Sequence, residues 1–219
     1  MQLGVISDVH ANIVAFDAVL SDMPEVDLVV CAGDVVGYNP WPGECVDRIR
    51  DSSIPTIMGN HDRAVVTGEY PGFNDMAVAG VEYAREHLSD DQIEWLATLE
   101  PQQRLVEDRV KMVHGHPDDP DHYTRPEEFS PDLLEDEDLL IMGHTHVQHH
   151  EIYDEGMVVN PGSVGQPRDR DHRAAYTLVD LDEWTVDEHR VEYDTDAVIH
   201  EVVDARLPQQ IGFRLTQGR

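Results

Sequence analysis

The chain has 219 residues, of which 45 are Asp or Glu and 15 are Lys or Arg, so its formal charge at pH 7 is −30. So acidic a chain repels polyphosphate, which argues against a nucleic-acid coat or a binder of anionic membranes. Hydrophobic residues make up 40% and fall in clusters, which argues against disorder.

From the N-terminus, Leu3 to Ser7 reads as a buried strand and Asn12 to Met23 as a helix with Ile13, Phe16, Val19 and Leu20 on one face. Leu28 to Ala32 is a second strand, Pro42 to Arg50 a helix with proline in its first turn, and Thr56 to Met58 a third strand. Asn74 to Leu88 and Asp90 to Leu99 are consecutive helices, the second with Ser89 and Gln92 as a capping box. Strands then follow at Val110 to Val113, Leu139 to Met142, Val147 to Tyr153, Met157 to Val159, Ala174 to Val179 and Thr185 to Val191. Asp196 to Leu215 is one or two closing helices. The pattern predicts a single α/β domain over residues 1–219, a sandwich of two sheets flanked by helices, with 196–219 as a closing helical segment.

Self-repulsion at −30 fades at molar salt, where the Debye length falls to roughly 3 Å, so the charge implies a high-salt interior; the alternative is an ordinary acidic protein with a very soluble surface. Two cysteines cannot build a disulfide framework, and Cys31, in an apolar run, reads as a core residue. No basic leader precedes the first strand and no apolar stretch approaches the ~20 residues of a membrane span, so a cytoplasmic protein is expected. The run Glu135-Asp136-Glu137-Asp138 reads as a solvated loop.

The chemistry gathers where apolar strands end. Asp8 and His10 follow the first strand, Asp34 the second, and Asn60, His61 and Asp62 the third; His114 ends the fourth, and His144 and His146 end the fifth. Ligands collect at the carboxyl ends of strands in open α/β sheets. Imidazole, carboxylate and amide oxygen without thiolate suit two ions of Mn²⁺, Fe, Zn²⁺ or Ni²⁺ class. A carboxylate such as Asp34 can bridge such a pair, and paired ions serve in-line phosphoryl displacement.

The ordered set Asp8-Val9-His10, Gly33-Asp34, Gly59-Asn60-His61-Asp62, His114 and Gly143-His144-Thr145-His146 resembles the calcineurin-like metallophosphoesterases. Asn160-Pro161-Gly162-Ser163-Val164-Gly165-Gln166-Pro167-Arg168, Gly37-Tyr38-Asn39-Pro40 and Pro117-Asp118-Asp119-Pro120 resemble the small prokaryotic, phosphodiesterase-like branch. The resemblance implies a four-layer α/β/β/α sandwich of two mixed sheets flanked by helices. It also implies two divalent metal ions, Mn²⁺ first with Fe, Zn²⁺, Ni²⁺ or Co²⁺ as alternatives. One would be held by Asp8, His10, Asp34 and His146, and the other by Asp34, Asn60, His114 and His144. His61 would face the substrate phosphate as general acid or transition-state stabiliser, with a metal-bridging hydroxide as nucleophile.

Relatives that dephosphorylate phosphoserine and phosphothreonine carry Asp-Arg where this chain has Gly37-Tyr38, which counts against a protein phosphatase. Asp62 is then a candidate to orient His61. Arg168 can grip a phosphate bidentately or pair with Asp169 or Asp171. Asn39, with Tyr38 and Trp41, can wall the site or pack beneath its loop, and His116 lies on the pocket rim or faces solvent. The expected function is metal-dependent hydrolysis of phosphodiesters or small phosphorylated metabolites. Phosphomonoesterase, dinucleoside-polyphosphate hydrolase and protein phosphatase are alternatives within the class. A non-catalytic metal-binding scaffold, as in a subunit of the eukaryotic retromer coat, is the alternative outside it. The expected partner is a small phosphoester, with no membrane and no long nucleic acid; a homo-oligomer is left open.

Overall fold

The computed structural model describes residues 1–219. The hydrophobic alternation of the early strands sorts their side chains onto two faces. In β1 (Gln2–Ile6), Leu3 and Val5 join a core shared with the second sheet, whereas Ile6 joins the core beneath the helices. β1 lies parallel to β2 (Leu28–Cys31) and antiparallel to β8 (Ala174–Asp180), which carries the hairpin partner β9 (Thr185–Val191), giving the order β2-β1-β8-β9. The second sheet runs β3-β4-β5-β7-β6, from Gln102–Leu105, Val110–Val113, Leu139–Ile141, Met157–Asn160 and His149–Ile152 respectively. Its centre, β4-β5-β7, is parallel, and both edges are antiparallel.

Between the sheets, Leu3, Val5 and Val179 of one meet Met112, Ile141 and Val159 of the other. Outside the first sheet, α1 (Ile13–Asp22) and α2 (Pro42–Asp51) bury Phe16, Val19, Val46 and Ile49. Beside them pack α3 (Asn60–Thr67), α4 (Asp75–His87) and α5 (Asp90–Ala97). The expected Ser89–Gln92 capping box closes the start of α5. Two short 3-10 turns, Pro126–Glu128 and Pro131–Leu133, cover the outer face of the second sheet, where Phe129, Leu133 and Leu134 meet Leu140, Met142 and Val158. The architecture is the expected sandwich of two mixed sheets between helical layers. The closing segment is two helices, α6 (Thr195–Asp204) and α7 (Gln209–Leu215), which pack on Tyr38 through Val198, Val202, Ile211 and Leu215.

Two local expectations need correction, and one helix was not foreseen. Thr56 to Met58 makes a single bridge, Thr56 to Cys31, because Pro55 lacks an N–H and the Met58 N–H turns away to the Glu100 carbonyl. Asn60 begins helix α3, started by the Asp62 carboxylate, which accepts the Gly59 N–H at 3.0 Å. The acidic run is not wholly solvated: Glu137 is buried and accepts from Arg104 at 2.9 Å.

Candidate metal centre

β1, β2, β4 and β5 bring the sequence-marked residues to one edge of the sandwich. Asp8, His10, Asp34, His144 and His146 all have positive φ, between 47° and 66°. The left-handed region is costly for residues with a Cβ, and it persists where the surroundings demand it. Here each such turn folds a side chain back toward the same point. Gly59 shows how close the strand ends lie: a Cβ there would meet Asp34 Oδ1 at 2.0 Å.

The ligand atoms form three overlapping groups, each within 4.8 Å: Asp8, His10 and His146; His10, Asp34 and His61; Asp34, His114 and His144. His146 Nε2 lies 3.1 Å from Asp8 Oδ1, and Asp34 Oδ2 lies 3.6 Å from His10 Nε2 and 3.4 Å from His114 Nε2. Asn60 Oδ1 lies 3.1 Å from His114 Nε2. The Nδ1 atoms of His10, His114 and His146 face the carbonyls of Val36, Ala32 and Gln166 at 3.1, 2.7 and 2.6 Å. A carbonyl only accepts, so Nδ1 carries a hydrogen, and in the neutral ring Nε2 presents its lone pair inward. In His144 the ring is reversed, with Nε2 on the Asp121 carbonyl at 3.2 Å, which leaves Nδ1 for the centre.

This donor set fits cations. Lone pairs converge on one small volume, and buried Asp8 Oδ1 has no hydrogen-bond donor. Such a cluster of acceptors is satisfied by metal ions. Burial, reinforced by the His114 charge, pushes His144 down to about 4, so it is neutral and ready to ligate. Burial works against a charge on His114, but Asp34 overrides it and raises His114 to about 10.

The Asn160–Arg168 segment braces these turns. Ser163 Oγ donates to the Asp8 carbonyl at 2.7 Å, and Asn160 Nδ2 donates to the Gly143 carbonyl at 2.7 Å. Asp62 does not reach the His61 ring; its carboxylate accepts the N–H groups of Asp34, Val36 and Gly59 at 2.8, 3.2 and 3.0 Å. His61 is held by packing instead, its ring centre 4.7 Å from Tyr38 and 4.6 Å from Phe73. Its buried Nδ1 has no partner, and burial, against the pull of Asp34, pushes the ring down to about 4.

Arg168 pairs with neither Asp169 nor Asp171, which are taken by Arg190 and Arg173. It donates to Tyr38 Oη at 3.2 Å and to Gln166 Oε1 at 2.8 Å, beside the His61 and His146 rings. Asn39 is buried and donates to the His10 carbonyl at 2.9 Å, so it steadies the His10 turn from behind. His116 accepts from the Asp118 N–H at 3.1 Å and serves its own loop. Sequence reasoning missed Tyr123, stacked on His144 with ring centres 3.9 Å apart, and the cavity of about 420 Å³ that it lines with Arg63, Tyr70 and Phe73. The only signal was the Pro117-Asp118-Asp119-Pro120 loop just before it.

Residues 1–184 match the calcineurin-like phosphoesterase superfamily domain. An uncharacterised protein of Methanocaldococcus jannaschii is 33% identical over 244 residues, covering 99% of this chain and 98% of that protein. The crystal structure of a metallophosphoesterase from Sphaerobacter thermophilus is 32% identical with a TM-score of 0.86, over 100% of this chain and 99% of that one. A hypothetical protein from Pyrococcus horikoshii OT3 shares the fold at 22% identity and a TM-score of 0.88, over 100% and 98% of the two chains. With the family domain spanning most of its length and laid over these strand ends, the chain belongs to the calcineurin-like phosphoesterase superfamily.

Proposed function

We propose that the chain is a two-metal phosphoester hydrolase acting on phosphodiesters or small phosphorylated metabolites, with Mn²⁺ as its metal. The reading is carried by one observation: seven residues with metal-ligand chemistry turn their ligand atoms toward one buried volume. Asp8, His10, Asp34 and His146 would hold one ion and Asp34, Asn60, His114 and His144 the other. Bound cations supply positive charge for the phosphate and lower the pKa of water. His61 stands beside this volume with Asp34 and His10, placed to give a proton to the leaving oxygen or to stabilise the transition state. Arg168 adds a guanidinium for a phosphate oxygen.

The packing favours diesters and small esters over phosphoproteins. A Cβ on Gly37 would lie 2.4 Å from His61 Nδ1, so a carboxylate at that position has no room. A long nucleic acid is disfavoured by the charge of −30. No helix is long and apolar enough to cross a membrane. On this reading residues 1–219 act as one unit, because α6 and α7 pack on Tyr38, which touches His10 and His61.

Metal-free protein given Mn²⁺ should hydrolyse bis(p-nitrophenyl) phosphate. No turnover with Mn²⁺, Fe²⁺, Zn²⁺, Ni²⁺ or Co²⁺ in molar KCl overturns the proposal, and metal bound without turnover on a broad phosphoester panel points to the scaffold.

A further inference from the structure

We infer that the cavity beside the metal ligands receives a nucleobase, so that the substrate is a small nucleotide ester. The inference rests on the proposed function, since it places the substrate phosphate at those ligands. The cavity, about 420 Å³, opens directly from Asn60 and His144. That size lies within the usual range for sites that enclose a small molecule.

Tyr70, Phe73, Tyr123 and His144 put four rings on its walls, among the polar Arg63, Thr67, Glu69 and Asp121. Tyr123 lies flat on His144, with ring centres 3.9 Å apart and planes 26° apart, yet 45% of the residue is exposed. An exposed tyrosine held rigidly against a buried histidine is a ready stacking platform, because ordering it costs nothing more when a flat ligand arrives. Phe73 and Tyr70 stand on the α3 side, Phe73 packed against His61. The edge is polar: Arg63 Nη2 donates to Asp121 Oδ1 at 2.5 Å across the cavity. A simple aryl group would use the rings alone. A heterocycle with donors and acceptors on its edge would also use the guanidinium and the carboxylate, and this favours a base.

The test titrates the Mn²⁺-loaded protein calorimetrically with adenosine 5′-monophosphate and with ribose 5-phosphate, which share phosphate and sugar and differ by the base. The nucleotide should bind at least tenfold more tightly. Tyr123→Ala should bring that ratio close to one, and Tyr123→Phe should keep it. Equal affinities in the parent protein, no binding of the nucleotide, or a base-dependent gain that survives in Tyr123→Ala would overturn the inference. The titration needs no turnover, so its failure is separate from failure of the bis(p-nitrophenyl) phosphate assay.

Discussion

The Nε2 atoms of His10 and His146 face each other at 3.1 Å, and each ring keeps its Nδ1 hydrogen on a backbone carbonyl. Two lone pairs so placed repel, and a shared cation turns the repulsion into coordination. Metal should therefore stabilise the fold. At a free concentration a thousand times Kd, the linkage contribution is about 4 kcal/mol. For a chain of this size that corresponds to a rise in Tm on the order of 10 °C. Thermal unfolding with Mn²⁺ and with chelator measures it, and His146→Ala should shrink the difference.

Asp34 sits between the two halves of the site, its Oδ2 within 3.6 Å of His10 and 3.4 Å of His114. Asp34→Ala should lose both ions, whereas Asp8→Ala and Asn60→Ala should each keep about one. Metal content per chain after gel filtration, read by atomic emission, decides this. Equal losses in all three variants would remove the bridging role.

The parts of the site legible in the sequence are those that depend on one strand and its own end. Asp8, His10, Asp34, His114, His144 and His146 each follow an apolar run, so their convergence came from strand polarity alone. Interactions across elements were hidden. Nothing local tells that the Asp62 carboxylate turns to the N–H groups of Asp34 and Val36 rather than to His61. Tyr123 was missed for the same reason, since its partner His144 lies 21 positions away on another loop. Strand β3 was missed because Gln102-Gln103-Arg104-Leu105 is a polar edge, set by pairing to β4 and not by its own pattern.

Gly37 has φ +96° and leaves no space for a side chain next to the His61 ring. Gly37→Ala should displace that ring and lower turnover as His61→Ala does, by roughly 10²–10⁴-fold for loss of a proton donor. Both variants should retain the metal content of the parent. If Gly37→Ala keeps full activity, the packing between Tyr38 and Phe73 is not what positions His61.

His114 titrates near 10 in the metal-free chain because Asp34 outweighs burial. A ligand nitrogen must be unprotonated, so metal displaces this proton at neutral pH. Below pH 10 the fraction of free imidazole grows tenfold per unit, so the apparent Kd for Mn²⁺ should fall about tenfold per pH unit between pH 7 and 8. Calorimetry in buffers of different ionisation enthalpy should show a proton released. His114→Ala should weaken binding and flatten the slope.

The charge of −30 should make stability depend on salt. One place shows why: Glu82, Glu86, Glu201 and Asp204 line a single hollow beside α4 and α6, four carboxylates against Arg206 and His87. Raising ionic strength shortens the Debye length from about 10 Å at 0.1 M to about 3 Å at 1 M, so this repulsion fades over that range. Tm should therefore climb steeply between 0.1 and 1 M KCl and level off beyond it. Glu86→Gln with Glu201→Gln should raise Tm at 0.1 M KCl, reduce the further gain from salt, and leave Tm in 2 M KCl nearly unchanged. Neutral solutes such as sucrose raise stability by exclusion and not by screening, so they should not distinguish the variant from its parent. A parent protein equally stable at 0.1 and 2 M KCl would show that its surface carboxylates lie too far apart to repel.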